Sequence, residues 1–479
     1  MHGSQLARLL GRWQAPPGRH RHPAYVALAG AVRGLLADGR LAFGVRLPAE
    51  RELADALDVS RTTVSAAYQH LRESGHLTSR RGAGSWTSLP AGHRVASSGL
   101  WAPADELDVI DLAAAAPSAP PQLPAAAAEA VDELPRYLAG PGYHPAGLPV
   151  LREEVAHGFA LRGLPTSPDQ IMITNGVQHA LDLVLRLLVA PGQIVLVESP
   201  TYPNALAGLA TRRARTVTYG LPDGGWDADL LLATLRQAGP RVAYLIPEFH
   251  NPTGHLMPAG LREALVRSAH SRGTDLIIDE SFVDLPLGDD PMPAPVAASD
   301  RHSRVLSIGG MSKPYWGGLR IGWVRAAAPL VQRLAAVRVG VDMASPVLDQ
   351  LVAVQLLRRA DEIVPARRAE LAARCAALAT ALRQELPEWR FTEPAGGVTL
   401  WAELDGPVSS ALTRAAGDRG VRLAPGPAFG LDGTLERFLR LPFILPEGDL
   451  VEAVRRLAMA RDELGRPHRP SWTEQTVLA

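Results

Sequence analysis

The sequence predicts two domains, a small helical module followed by a larger α/β domain with a mainly parallel central sheet. The charge is divided between them: residues 1–100 hold 13 Arg and 6 acidic side chains, a net charge of +7, and the remainder carries −7. Residues 89–108 are rich in Pro, Gly, Ser and Ala, which is typical of a linker. Across residues 109–470, short apolar runs alternate with helical patterns, which favours a parallel sheet covered on both faces.

The composition argues against several classes of protein. With 47% hydrophobic residues, the chain of 479 residues can form a large core. A single cysteine, Cys375, excludes an internal disulfide and a Cys-rich zinc site, and no metal site is predicted. No run of 18 apolar residues occurs, and the apolar stretch near the start is too short for a secretory signal. We therefore expect a cytoplasmic protein with no membrane partner.

The lysine content is unusual. The 49 basic residues comprise 48 Arg and one Lys, Lys313. A composition that replaces Lys by Arg wherever either serves indicates that Lys313 occupies a position where Arg fails. A lysine amine acts as a nucleophile, and the permanently protonated guanidinium does not. The alternative is a surface lysine that arose by chance.

The N-terminal module spans residues 20–88, after an N-terminal extension of residues 1–19. Helical periodicity covers residues 25–39, closed by Gly39, then residues 49–57 and 61–75, with Ser60 as the N-cap of the last helix. Two short helices joined by a tight turn are typical of a helix-turn-helix. HLTS and SWTS, separated by RRGAG with Arg80 and Arg81, predict a two-stranded wing.

This layout predicts contacts with double-stranded DNA. The start of the third helix would enter the major groove or meet phosphates, and the glycine-rich tip of the wing would approach the minor groove. The alternative is that these arginines lie on a solvated surface without a partner. The predicted DNA-binding residues are Arg51, Arg61, Thr62, Thr63, Arg81 and Gly82.

The stretch GRLAFGVRLPAERELADALDVSRTTVSAAYQHLRESGHLTSRRGAGSW resembles the winged helix of GntR-type bacterial regulators throughout. The resemblance implies a bacterial protein with operator DNA as a partner, associated with the nucleoid when it is bound to DNA. In that family, the positions of Arg51, Arg61 and Thr62 commonly contact DNA, as do those of Thr63 and Gly82. Ser65 stands where several relatives carry a basic residue, so one phosphate contact is expected to be absent.

The larger domain carries polar residues just beyond its predicted strands. These strands are residues 171–174, 193–199, 242–248, 275–281, 304–310 and 319–326. Asn251, Asp279, Lys313 and Arg320 follow or end them, at the edge where parallel sheets bind ligands. Taken singly, each is as well explained as a cap, a turn or a surface residue. Taken together, they supply an amine, a carboxylate, a donor and a phosphate-binding cation, which suit pyridoxal 5′-phosphate (PLP).

Residues 110–465 resemble the fold-type I, aspartate-aminotransferase-like PLP enzymes through the motifs ITNGVQHALDLV, ESPTY, HNPTG, DESF, SK, GGLRIGW and FLRLPF. The resemblance implies that Lys313 forms the Schiff base and that Asp279 contacts the pyridinium nitrogen. It places Tyr202 on the ring and Asn251 at the phenolic oxygen. Arg440 would bind the α-carboxylate of a substrate bidentately.

The same resemblance predicts the phosphate site and a homodimer. The backbone N–H groups of Gly176, Val177 and Gln178, with Arg320, would hold the phosphate. Tyr143, in GYHPAGLPVLREEVA, stands where a tyrosine of the neighbouring subunit reaches the phosphate, which implies a homodimer.

Two residues depart from the family pattern. Phe282 stands where many relatives have a tyrosine that donates to the phenolic oxygen, which changes the tuning of the Schiff-base pKa. Gly310 stands where a Ser or Thr hydroxyl often binds the phosphate. We expect both to weaken cofactor binding or slow turnover without abolishing aldimine formation.

A winged helix, a linker and an aminotransferase-like domain form the arrangement of MocR-type regulators, which this chain resembles over nearly its whole length. The resemblance implies a transcriptional regulator that senses an amino acid or amine by aldimine exchange at Lys313. The alternative is an active aminotransferase that carries a DNA-binding domain. Decarboxylase or lyase chemistry requires no different core residues and has no positive support.

Overall fold

The computed structural model describes residues 2–11, 13, 23–37, 41, 46–80, 84–88, 109–222, 224–431 and 433–465. Two compact units form, with the main boundary after Asp105. The predicted linker, 89–108, and the predicted C-cap Gly39 lie outside the described residues, as do Arg81 and Gly82.

The described residues of the N-terminal unit form four helices and a hairpin. They are α1 Gly3–Leu10, α2 Ala24–Ala37, α3 Glu50–Leu57, α4 Arg61–Glu73, β1 Leu77–Arg80 and β2 Gly84–Thr87, with β1 and β2 antiparallel. Leu6, Leu28, Leu53 and Leu71 are fully buried in a common hydrophobic cluster. Helix α1 lies in the N-terminal extension, where the sequence patterns predict no helix, yet it contributes Leu6 to this core.

Helix α4 shows why the predicted helix-turn-helix forms. Its buried side chains, Val64, Tyr68 and Leu71, recur at intervals of three and four residues and so lie on one face. The predicted N-cap is present, because the Ser60 hydroxyl accepts a hydrogen bond from the Thr63 N–H at 3.1 Å. The Tyr68 hydroxyl donates to the Pro48 carbonyl at 3.0 Å, which ties α4 to the chain that enters α3.

The second unit is built on a seven-stranded sheet of order β4-β10-β9-β8-β7-β5-β6. Its strands are β4 Ile171–Thr174, β5 Ile194–Ser199, β6 Arg215–Gly220, β7 Val242–Leu245, β8 Asp275–Asp279, β9 Val305–Gly310 and β10 Gly322–Arg325. Strands β6, β5, β7, β8 and β9 pair in parallel, and β10 is antiparallel to both of its neighbours. The predicted mainly parallel sheet is therefore confirmed. Strand β6 is not among the predicted strands, because only one of its six residues is buried and it lacks an apolar run.

Helices cover both faces of this sheet, where two separate hydrophobic clusters form. The helices are α5 Leu123–Glu133, α6 Pro149–Leu161, α7 Val177–Leu188, α8 Pro203–Thr211, α9 Ala228–Ala238, α10 Ala259–Arg272, α11 Ala328–Val339 and α12 Val347–Leu357. Among the described residues, none of the helices combines the length and the hydrophobicity that crossing a membrane requires.

A smaller five-stranded sheet has the order β11-β12-β14-β13-β3. Its strands are β3 Ile110–Leu112, β11 Arg390–Phe391, β12 Thr399–Glu403, β13 Val421–Pro425 and β14 Phe438–Pro442, and the helices α13 Ala360–Glu385, α14 Ser409–Gly417 and α15 Glu447–Gly465 complete this part of the fold. Strand β3 pairs in parallel with β13, far away in the sequence. The sequence patterns do not predict this sheet, because its strands are short and its pairing is non-local.

We expect Ser60→Ala to destabilise the start of α4, because the Thr63 N–H loses its acceptor. The expected cost is about 1 kcal/mol. Hydrogen exchange of the α4 amides, followed by mass spectrometry on the full chain, measures it. Ser65→Ala, one turn further along α4, is the matched control, since alanine has the higher helix propensity there. Equal exchange rates in α4 of Ser60→Ala and of the unchanged protein would show that the cap contributes nothing.

Candidate functional site

The carboxyl ends of the parallel strands bring the predicted residues together. Asp279 is the last residue of β8, and β9 ends at Gly310, just before a single π-helical turn, Ser312–Trp316, that contains Lys313. Because β8 and β9 are parallel neighbours, their carboxyl ends emerge side by side. The charges of Asp279 and Arg440 both act on the pKa of the Lys313 amine, which places the three in one site.

The Asp279 carboxylate is buried, at 4% exposure, and is held by three donors. The Tyr244 hydroxyl donates to one oxygen at 2.7 Å, and the Ser281 N–H and hydroxyl donate to the other at 3.0 and 2.5 Å. Burial raises the pKa of Asp279, while these hydrogen bonds and the Lys313 charge oppose the rise. The site therefore holds a fixed carboxylate at the place predicted for one.

The Lys313 amine lies near an aromatic ring and is influenced by charges of both signs. Its Nζ donates to the Ala115 carbonyl at 2.7 Å and lies 5.7 Å from the centre of the Phe282 ring. Burial, with a smaller contribution from the Arg440 charge, lowers the pKa of Lys313 to about 8, and Asp279 opposes this shift. Near neutral pH, such a pKa makes a much larger fraction of the lysine neutral than the ordinary value of 10.5 does, and the neutral amine is the nucleophilic form. Phe282 thus lies near the amine and offers it no hydroxyl.

The start of α7 forms a cradle for an anion. Gly176 is its N-cap with φ +83°, so the first backbone N–H groups of α7, including those of Val177 and Gln178, point out of the helix. Arg320 lies beside this loop, and its Nη2 donates to the Asn175 carbonyl at 3.0 Å. A side chain at Gly176 would lie 2.9 Å from that Nη2, so glycine leaves the cradle open.

Two further side chains complete the ligand-binding edge. Arg440, in β14, is buried; it donates to the Ala113 carbonyl, and its Cζ lies 4.9 Å from the centre of the Phe429 ring. Burial lowers the pKa of Arg440 to about 10. Tyr202 precedes α8, and its hydroxyl accepts a hydrogen bond from Asn204 at 2.8 Å. Burial raises the pKa of Tyr202, and the charge of Asp279 adds to this rise.

These residues fit PLP. The cradle at Gly176 is free of a side chain of its own, as a phosphate requires, and the amine and carboxylate are in place for the aldehyde and the ring nitrogen. Asn251 is buried, and the Arg440 Nε is buried without a hydrogen-bond partner among the described residues, so the guanidinium retains a free donor. Tyr143 is 61% exposed, and its predicted role depends on a second subunit.

Two residues that hold the carboxylate are not among the predicted site residues. Ser281 follows Asp279 by two positions, a spacing at which carboxylates commonly accept local hydrogen bonds, so a signal exists in the sequence. Tyr244 lies on β7 and reaches Asp279 across a strand pairing. Nothing in the local sequence around Tyr244 indicates this contact.

Gly310 departs from the family pattern for a steric reason. A side chain there would place its Cβ 2.9 Å from the Ile321 carbonyl oxygen and 3.0 Å from the Gly322 Cα. A Cβ on Gly322 would in turn lie 2.7 Å from the Val177 nitrogen. The backbones of β9, β10 and the cradle therefore approach too closely for a serine or threonine at position 310.

The predicted DNA-binding residues that the structure describes lie at and near the start of α4. Arg51 is exposed on α3, and Arg61, with a side chain 72% exposed, lies 3.8 Å from Glu50. The hydroxyls of Thr62 and Thr63 hydrogen-bond to the Ser60 hydroxyl at 2.7 and 2.8 Å. The start of α4 thus presents a cation and clustered hydroxyls, which suit phosphate oxygens.

We expect Gly310→Ser to destabilise the second unit by about 1–3 kcal/mol, because overpacking forces the β9 and β10 backbones apart. Urea unfolding of the full chain, followed by tryptophan fluorescence, measures this loss. Gly260→Ala, at an open position in α10, is the matched control and should not destabilise. A Gly310→Ser protein as stable as the unchanged one would refute the steric explanation.

The reactivity of Lys313 should titrate near pH 8 in the cofactor-free protein. Acylation rates of the Lys313 peptide, measured by mass spectrometry, should rise with pH and level off above about pH 8 rather than near 10.5. Asp279→Asn should move the midpoint lower, because the carboxylate charge stabilises the protonated amine. A midpoint near 10.5 would contradict the influence of burial.

Comparisons with known proteins agree with this geometry. The family model "Aminotransferase class I and II" matches residues 108–457, and "Bacterial regulatory proteins, gntR family" matches residues 24–86. The chain is 30% identical over 441 residues to YdcR of Escherichia coli K12, an uncharacterized HTH-type transcriptional regulator, and the match covers 87% of this chain and 94% of the relative.

Two further similarities concern the second unit. The 2-aminoadipate transaminase of Thermus thermophilus is 33% identical over 331 residues, covering 68% of this chain and 81% of the relative. The structure of the α-aminoadipate aminotransferase LysN from the same species, complexed with N-(5′-phosphopyridoxyl)-L-leucine, superposes with a TM-score of 0.69 at 32% identity, covering 74% and 93% of the two chains. This fold implies PLP as the cofactor. The chain belongs to the class I and II aminotransferase family and joins that domain to a GntR-family helix-turn-helix domain, as MocR-type regulators do.

Proposed function

We propose that the protein is a PLP-dependent transcriptional regulator that senses an amino acid or an amine and binds operator DNA. The observation that carries this proposal is the position of Lys313. The single lysine of the chain lies in the ligand-binding edge of the sheet, beside Asp279 and Arg440, with a pKa lowered to about 8. The same chain carries a GntR-family domain, and its relatives include HTH-type transcriptional regulators.

The residues of the site have distinct roles toward the cofactor. When bound, PLP supplies an aldehyde carbon that exchanges one primary amine, that of Lys313, for another, that of the effector. The N–H groups of Gly176, Val177 and Gln178 hold the phosphate, with Arg320 alongside.

The ring is held by three side chains. Asp279 keeps the ring nitrogen protonated, since its carboxylate is fixed by Tyr244 and Ser281. Tyr202 stacks on the ring, and Asn251 donates to the phenolic oxygen.

The effector carries a carboxylate if it is an amino acid. Arg440 is buried, has an unpartnered Nε among the described residues, and lies close enough for its charge to influence Lys313. A planar guanidinium in this state suits bidentate recognition of a carboxylate. An amine without a carboxylate would leave Arg440 bound to the Ala113 carbonyl.

Two hydrogen bonds connect the ligand-binding site to the segment that follows β3. Lys313 and Arg440 donate to the carbonyls of Ala115 and Ala113, which directly follow β3. An effector's carboxylate would compete with the Ala113 carbonyl for Arg440, and the effector's amine would take the place of Lys313 on the cofactor, which leaves the Lys313 amine free to donate to the Ala115 carbonyl. The segment 113–115 would then lose one donor and gain another, and it lies near the start of the second unit, soon after the predicted linker in the sequence.

Self-association is part of the proposal. Several large apolar side chains are exposed on the second unit, including those of Val339, Val341, Met343 and Leu348. These four residues lie within ten positions of the sequence, and exposed apolar patches are typical of protein–protein contacts. A homodimer covers them and allows Tyr143 to reach the partner's phosphate. It also presents two DNA-binding domains, with Arg51, Arg61, Thr62, Thr63, Arg81 and Gly82 as the proposed DNA contacts.

The second candidate function is an active aminotransferase with a DNA-binding domain. It is favoured by the similarity to 2-aminoadipate transaminase and requires the same lysine, carboxylate and arginine. Steady-state assays with an amino acid and a 2-oxo acid separate the two functions. Sustained turnover favours the enzyme, and a stable bound complex without turnover favours the sensor.

Lys313→Ala should remove the absorbance of the Schiff base between the lysine and the cofactor and uncouple DNA binding from the effector. DNA binding without effector should remain, since no DNA contact is removed. Titration of the purified protein with a panel of amino acids and amines, followed by absorbance and by DNA-binding anisotropy, measures both. Lys313→Arg is the matched variant, because it keeps the positive charge and loses the nucleophile. A normal effector response in either variant would refute sensing through the Lys313 amine.

A further inference from the structure

Arg338, in the last turn of α11, is a fully buried cation that uses all five of its N–H donors. Nε and Nη2 donate to the two oxygens of Asp342 at 2.8 and 3.1 Å. Nη2 also donates to the Ser345 hydroxyl at 2.8 Å, and Nη1 donates to the carbonyls of Ile173 and Pro145 at 2.5 and 3.1 Å. A guanidinium so completely bonded is a rigid anchor, because any movement breaks several bonds at once.

Asp342 connects the fixed Arg338 guanidinium to the loop before α7 by hydrogen bonds. Its Oδ2 accepts a hydrogen bond from the Asn175 side-chain amide at 2.5 Å. The Asn175 N–H donates to the His179 Nδ1 at 3.0 Å, and the Asn175 carbonyl accepts from Arg320 at 3.0 Å. Burial lowers the pKa of His179, which favours the neutral ring that can accept this bond. Asn175 is therefore held at its side chain, its N–H and its carbonyl.

Asn175 lies where its hydrogen bonds can orient both the cradle at Gly176 and Arg320. It directly precedes Gly176, the N-cap with φ +83°, and its carbonyl sets the direction of the Arg320 guanidinium. A glycine at this φ gives the chain many alternative conformations, so the residue before it must be fixed by other means. The donors of the cradle point to a common centre only when the Asn175 peptide is fixed.

We propose that Asp342 and Asn175 are positioning residues that orient the cradle at Gly176 and the Arg320 guanidinium toward the phosphate of PLP. The inference rests on the proposed function, in which this cradle holds the phosphate. Neither residue needs to touch the cofactor. Their effect therefore falls on the phosphate end of the site and leaves the Lys313 amine unchanged.

The test compares PLP with pyridoxal, which has the same aldehyde and ring but no phosphate. Dissociation constants for both are measured by absorbance titration of the full-length protein and of Asp342→Ala and Asn175→Ala. We expect each variant to weaken PLP binding about tenfold, within the range of coupling energies between packed residues, and to change pyridoxal binding less than about twofold. The preference for PLP over pyridoxal should fall about tenfold.

A matched control uses another carboxylate of the same unit. Asp182 accepts a hydrogen bond from Arg186 at 2.6 Å on the partly exposed side of α7, and both partners lie on that helix. Asp182→Ala should leave the preference for PLP unchanged. Far-ultraviolet circular dichroism verifies that each variant is folded, and Asn175→Ala retains the buried Arg338–Asp342 pair if Asp342→Ala does not fold.

The outcomes separate the inference from the proposed function. If the unchanged protein prefers PLP and the variants keep that preference, the positioning role is wrong. Equal weakening of both ligands has the same meaning, since it indicates a general structural defect. If the unchanged protein binds PLP no better than pyridoxal, the cradle does not hold a phosphate, and the proposed cofactor site fails first.

Discussion

The arrangement of the site depends on one constraint, the burial of the Asp279 carboxylate at the end of a central strand. A buried charge is stable only with donors and an opposite charge nearby. Tyr244 reaches it from β7 and Ser281 from the following turn, and Lys313 follows the neighbouring β9. Because these strands are parallel neighbours, a single edge of the sheet gathers all three groups. The next residue, Glu280, is not one of these groups, because its carboxylate pairs with the Arg162 Nη2 at 2.6 Å.

Most of this edge could be predicted, because its residues follow apolar runs directly. The six predicted strands of the large sheet include the one that carries Asp279, and composition alone distinguished Lys313. Tyr244 was not predicted, since its contact with Asp279 depends on the pairing of β7 with β8. The small sheet was not predicted either, because Ile110 in β3 pairs with Val421, far along the chain. The place of Arg440 came from family resemblance and not from local pattern.

The glycines beside the cradle at Gly176 show that a residue which departs from the family pattern can be required by the packing of the backbone. Gly310 and Gly322 face each other across β9 and β10, and Gly322 approaches the Val177 nitrogen. A hydroxyl at position 310 would force this backbone contact apart. Orientation of the cradle must then come from elsewhere, and the Arg338–Asp342 pair, bound to Asn175, supplies a fixed support for the loop.

The residues that hold the cofactor and the residues that respond to an effector are physically different. A ligand shifts an equilibrium only by its difference in affinity for the two states. Asp279 and Asn175 are held by hydrogen bonds to neighbouring protein groups, so they contribute equally to the effector-free and the effector-bound states. Arg440 donates to a main-chain carbonyl that an effector's carboxylate can replace, and an effector's amine can take the place of the Lys313 amine on the cofactor. The free energy that drives the response must therefore come from the amine and the carboxylate of the effector, and not from the phosphate or the ring.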